Sequence, residues 1–187
     1  WVDPNPDPVT GEVGSVYISD GYGNFRVVVF DSRGKFLRQW GSPGSGEGQY
    51  VERGGGHPHC VAVSKDGFVY SCDRGNHRIH VHDREGNLVR TLPVRYPAEV
   101  AELIARPCQI VFSTDEAQKY MFVTELANEV GLTMERETGT IVGTTGSPGH
   151  MAGEITCAHA MSVDSKGNLY LGECGGGRRP QKFVMNR

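Results

Sequence analysis

Short runs in which apolar and polar residues alternate fill the chain, each closed by a glycine-containing turn. In Arg26–Phe30 the alternation places Val27 and Val29 on one strand face, and in Arg78–His82 it places Ile79 and Val81 on the equivalent face of a second strand. The turns Ser32-Arg33-Gly34-Lys35 and Arg84-Glu85-Gly86-Asn87 supply the glycine that a tight hairpin requires. The pattern predicts many short strands and leaves almost no room for helix.

The runs repeat. HCVAVSKDGFVYSCD (59–73) superposes without a gap on HAMSVDSKGNLYLGE (159–173), with CQIVFSTDEAQKYMFVTE (108–125) between them and SVYISD (15–20) before them. Each unit ends a strand in an acid: Asp20, Asp73, Glu125 and Glu173. After the first two acids comes an N-x-R-[IV]-x-V pattern and a hairpin, at 21–41 and 74–92. The third repeat, NEVGLTMERETGTIVG, lacks the arginine, and the fourth stops at its third strand. GSPGSGEGQY (41–50) and GSPGHMAGEI (146–155) match where the chain passes from one unit to the next.

Four strands and a crossing in about 50 residues make one blade of a β-propeller. The pattern resembles the NHL repeat, and the fold class expected is all-β: a single partial propeller over 1–187, with approximate repeats 1–50, 51–100, 101–150 and 151–187. Six blades, the usual NHL number, would need roughly 300 residues at this period, so about four of an expected six are present. Trp1-Val2-Asp3 aligns with the end of an innermost strand, which suggests a truncated chain; the alternative is a second chain that completes the ring and pairs the open blade edges.

Composition narrows the partners. The 187 residues carry a formal charge of −3 from 19 basic and 22 acidic residues spread along the chain, with no basic field for a phosphate backbone, so nucleic acid is not expected. No apolar run reaches the roughly 20 residues of a membrane span, and WVDPNPDPVTGEVG has neither the basic nor the apolar region of a signal peptide. The five cysteines, Cys60, Cys72, Cys108, Cys157 and Cys174, contain no CxxC pair and are odd in number. They predict neither a zinc knuckle nor a complete disulfide framework, and leave at least one thiol free or paired elsewhere.

The innermost strands of a propeller start beside its central channel. His59 and His159 share that point of the repeat, with Cys108 at the same point between them. Two imidazoles on rigid strands suit zinc, which in catalytic sites takes three protein ligands. They equally suit axis-lining residues bonded to water or backbone. Cys60 and Cys157 offer soft ligands or small buried thiols.

In order and spacing, DGYGNFRVVVFDSRGKFLRQWG, HPHCVAV and DRGNHRI resemble the peptidyl-α-hydroxyglycine α-amidating lyases, six-bladed NHL propellers that cleave a carbinolamide to a peptide amide and glyoxylate. The resemblance implies Tyr22 and Arg74 as catalytic residues, His59 and His159 as zinc ligands, a small-molecule or peptide ligand at the axial channel, and an extracytoplasmic location, secreted or periplasmic. The family's further histidine and arginine would precede residue 1. Gly23 stands where animal members have a cysteine, Ala158 where a proline is expected, and Ala160 where the family has an acid that helps to hold structural calcium, which counts against calcium here.

Each residue has a second reading: Tyr22 as a blade-tip aromatic, Arg74 as an ion-pair partner of Asp73 or Asp83, Asn24 and Asn76 as turn formers, and Arg178, Arg179 and Lys182 as solvated strand surface. For the whole chain, a metal-dependent C–N lyase competes with a non-catalytic propeller that binds a protein or a ligand. Four matching positions in the right order favour the lyase, since a generic blade does not supply them.

Overall fold

The computed structural model of the chain describes residues 1–51, 58–97 and 104–185. The repeat boundary expected at 100/101, and His57 of the HPHCVAV motif, lie outside the described residues. The rest falls into two compact units, Trp1–Pro93 and Val94–Arg187.

The first unit opens with an antiparallel meander of β1 (Val16–Asp20), β2 (Arg26–Phe30) and β3 (Phe36–Trp40). The N-terminal residues run beside β1: Val2 bridges Val16, and Tyr17 N–H donates to Trp1 O at 2.8 Å. The crossing follows as a parallel pair, β4 (Ser42–Pro43) with β5 (Gln49–Tyr50). A four-stranded meander completes the unit, with β6 (Val61–Val63), β7 (Val69–Asp73), β8 (Arg78–His82) and β9 (Leu88–Pro93). Tyr17, Val27 and Val29 pack against Val61, Val63 and Val69, so each meander buries a face that it could not bury alone. Val27, Val29, Ile79 and Val81 are all fully buried, as the alternation requires. Gly34 and Gly86 hold φ of 84° and 99° in their hairpins, a region costly for a side chain.

The second unit repeats the plan. Its four-stranded sheet is β10 (Pro107–Phe112), β11 (Tyr120–Glu125), β12 (Val130–Glu135) and β13 (Ile141–Thr145). A parallel crossing, β14 (Ser147–Pro148) with β15 (Glu154–Ile155), leads to the meander of β16 (Ala158–Val163), β17 (Leu169–Glu173) and β18 (Pro180–Phe183). Val111, Phe122, Ile155, Ala158, Met161, Leu169 and Leu171 form its core.

Two of the strand-ending acids, Asp73 and Glu173, are tied through an arginine to the crossing before their blade. Arg78 Nε donates to Asp73 at 2.6 Å while its terminal nitrogen reaches Gly46 O at 2.6 Å and Gln49 O at 3.1 Å. Arg179 does the same with Glu173 at 2.9 Å, Met151 O at 2.9 Å and Glu154 O at 2.8 Å. Gly46 and Met151, like Gln49 and Glu154, are the same positions of the two matched crossings. Arg179 is therefore an internal clamp, which corrects its reading as solvated surface. Arg178 and Lys182 do lie exposed, Lys182 over the ring of Tyr170 at 5.3 Å.

Glu125 has no arginine and takes a different set of donors. The backbone N–H groups of Arg106, Ala127 and Asn128, the Asn128 amide and the Tyr96 hydroxyl all converge on its buried carboxylate. Asn24 and Asn76 likewise donate to Asp20 and Asp73, so these asparagines bind the acids as well as forming turns. In all four repeats the residue after this point is left-handed without being glycine: Phe25, His77, Glu129 and Arg178, with φ between 49° and 59°.

The cysteines require a correction. Cys60 is bonded to Cys72 and Cys157 to Cys174, leaving Cys108 as a buried free thiol. Cys60 and Cys157 are thus neither thiolate ligands nor small packed thiols. Cys60 just before β6 meets Cys72 in β7, and Cys157 just before β16 meets Cys174 just after β17, a proximity that spacing along the chain did not reveal.

Candidate functional site

His59 owes its position to a break in the ladder. Its N–H donates to Cys72 O at 2.9 Å, while Cys72 N–H donates to Cys60 O at 3.2 Å, so two residues face one. The same shift recurs at Cys108, between the pairs Pro107–Glu125 and Gln109–Thr124, and at His159, between Ala158–Glu173 and Ala160–Gly172. All three aligned blade-start residues sit in a β-bulge, a device that re-aims a side chain. No sequence signal marked the bulges.

Tyr22 stands between two glycines in the connection Asp20-Gly21-Tyr22-Gly23-Asn24, whose ends Asn24 joins by donating to both Asp20 oxygens at 3.0 and 3.1 Å. Its backbone is left-handed at φ 57°, and the residue is 72% exposed. Arg74 opens a single 3-10 turn, Arg74–Asn76, directly after β7 and is only 3% exposed. The guanidinium donates to the Tyr22 hydroxyl at 3.3 Å. The Tyr22 ring meets the half-buried His59 ring edge-on, with centroids 6.0 Å apart and planes at 62°.

Tyr22, His59 and Arg74 therefore form one cluster in the first unit. His159 lies in the second unit, exposed on β16. Of the two acids considered as partners of Arg74, Asp73 takes Arg78, and Asp83 takes the backbone and side chain of Asn87. Burial raises the pKa of Asp73, but hydrogen bonds from His80, Asn76 and Arg78 outweigh it and hold the carboxyl below its ordinary value. The turn that carries Arg74 thus starts from a fixed anion.

Among the described residues no group of three or more His, Cys, Asp or Glu side chains is arranged to hold a metal ion. Cys60, beside His59, is committed to its disulfide.

With this geometry the fold is that of about four consecutive blades of an NHL-type β-propeller, and residues 56–81 match the NHL repeat model. The chain is a distant relative of the amidating lyases. It is 27% identical over 172 residues to a peptidyl-α-hydroxyglycine α-amidating lyase of Caenorhabditis elegans, described as probable, covering 89% of this chain and 45% of the relative. It is 26% identical over 172 residues to peptidyl-glycine α-amidating monooxygenase A of Xenopus laevis, covering 89% of this chain and 17% of that protein. The chain spans less than half the length of either. Among solved structures, virginiamycin B lyase from Staphylococcus aureus aligns with a TM-score of 0.59 at 13% identity, over 93% of this chain and 53% of that one. No helix among the described residues is long and apolar enough to cross a membrane.

Proposed function

We propose that the chain carries part of a C–N lyase site that takes a peptidyl-α-hydroxyglycine and releases a peptide amide and glyoxylate. The carrying observation is the convergence of Tyr22, His59 and Arg74, three matched residues from separate segments, at one strand end. Distant relatives with this activity support the reading.

Arg74 is the group for the ligand carboxylate, because a guanidinium offers two parallel N–H donors to two oxygens. Tyr22 carries the proton. As the hydroxyl of the carbinolamide becomes the carbonyl of glyoxylate, its proton passes to the phenol, which gives one to the amide nitrogen as the C–N bond breaks, and the phenol ends unchanged. His59 sets the orientation of the Tyr22 ring through their edge contact. Within the first unit, His59 is the proposed zinc donor. Among the described residues neither unit supplies the three ligands that a catalytic zinc takes, so no step is written through the metal.

The two disulfides suit an oxidising compartment, which favours an extracytoplasmic location. The test is glyoxylate release from N-benzoyl-α-hydroxyglycine by the purified chain, with and without added zinc. Release that disappears in Tyr22→Phe and Arg74→Lys, both still folded by thermal melt, supports the lyase. No release above buffer under either condition rejects it and leaves a propeller that binds a partner without catalysis.

A further inference from the structure

The contact between Arg74 and Tyr22 conflicts with simple carboxylate capture. The Arg74 guanidinium is buried, and one of its terminal nitrogens already meets the Tyr22 hydroxyl at 3.3 Å. A carboxylate oxygen accepting from the same nitrogen would compete with that hydroxyl. The contact is long for a charge-assisted bond, which is normally near 2.8 Å, so it is weak enough to be displaced. The phenol also has somewhere to go: glycines flank Tyr22 on both sides, a Cβ added at Gly23 would meet nothing within 4 Å, and the residue is 72% exposed.

We infer that Tyr22 is an internal competitor for Arg74, which a ligand carboxylate must displace, and that the displaced phenol then seeks a hydroxyl on the ligand's α-carbon. This inference rests on Arg74 as the carboxylate group, and it makes Tyr22 a specificity residue. A plain carboxylic acid takes Arg74 and leaves the phenol without a partner. A 2-hydroxy acid takes Arg74 and supplies one. The site therefore selects against ligands that lack the hydroxyl before any bond is broken, because a polar group built to pair discriminates against analogues that leave it unpaired.

The matched probes are 3-phenylpropanoate and 2-hydroxy-3-phenylpropanoate, which differ only in the hydroxyl and contain no C–N bond to cleave. Dissociation constants come from NMR titration of the isotope-labelled chain. The wild-type chain is expected to bind the hydroxy acid about fivefold more tightly, and Tyr22→Phe to tighten the plain acid by about fivefold, the equivalent of one hydrogen bond of about 1 kcal/mol. Preference for the hydroxy acid should then vanish, and Arg74→Lys should weaken both acids. An unchanged or weaker affinity of Tyr22→Phe for the plain acid overturns the competitor. Loss of neither acid in a folded Arg74→Lys, or binding of neither acid to wild type and Tyr22→Phe alike, overturns the carboxylate role of Arg74 itself and with it the lyase reading. The first failure leaves that reading standing.

Discussion

Arg78 and Asp73 meet at 2.6 Å with the aspartate side chain fully buried, and the same guanidinium reaches back to the crossing at Gly46 and Gln49. One side chain thus fastens the acid at the end of β7 to the segment that precedes its own blade. Arg179 repeats the arrangement with Glu173.

Burial decides how much such a clamp matters. Removing one partner of a buried pair leaves an uncompensated charge and costs about 3–5 kcal/mol, whereas an exposed pair contributes at most about 1 kcal/mol. Asp73→Ala should therefore lower unfolding free energy by about 3 kcal/mol. Asp20→Ala breaks the pair with Arg26, whose side chains are 28% and 36% exposed, and should cost no more than about 1 kcal/mol. Urea unfolding of both variants decides it. Equal losses would mean that neither the burial of Asp73 nor the clamp to the crossing adds to the energy of the pair.

The blades were legible because each level agreed: alternation put Val27, Val29, Ile79 and Val81 inside, and Gly34 and Gly86 marked their hairpins. The long-range pairings were not. Arg179 looked like one member of a surface cluster because its role depends on carbonyls of Met151 and Glu154, which carry no side-chain signature. The bulges at His59, Cys108 and His159 are features of the hydrogen-bond ladder, and the residue types at those positions do not require them. Tyr22 and Arg74 were found through motif resemblance, but the bond between them follows from the neighbouring placement of two strand ends.

The cysteine pairing gives a direct count. With Cys60–Cys72 and Cys157–Cys174 bonded and Cys108 fully buried, the native chain should show no thiol reactive to a colorimetric disulfide reagent. Denaturant alone should expose one of the five cysteines, and denaturant after reduction all five. Cys60 and Cys72 are 12 residues apart, so replacing both by alanine should cost about 3 kcal/mol through the freer unfolded chain. Three or more reactive thiols in unreduced denatured protein would show that a bridge is missing.

His82 sets the acid limit of the first unit. Burial, with His80 nearby, pushes its pKa down to about 3, and among the described residues its Nδ1 has no hydrogen-bond partner. The folded chain then binds this proton less readily than the unfolded chain, whose histidine titrates near 6.5. Between those values the unfolded state carries the extra proton, so stability is complete above about pH 6.5 and falls as pH is lowered, by about 1.4 kcal/mol per unit. Asp73 and Glu173 have lowered pKa values, and their contribution is lost only as pH drops below the ordinary carboxylate range near 4. The span from pH 6.5 to 4.5 lies above that range, and the expected loss from His82 across it is about 2 kcal/mol. His82→Phe should remove most of that slope while keeping a ring beside Trp40, which lies 5.4 Å from the His82 ring. Urea unfolding at half-unit steps of pH measures it, and a slope that survives the substitution would move the titration to another group.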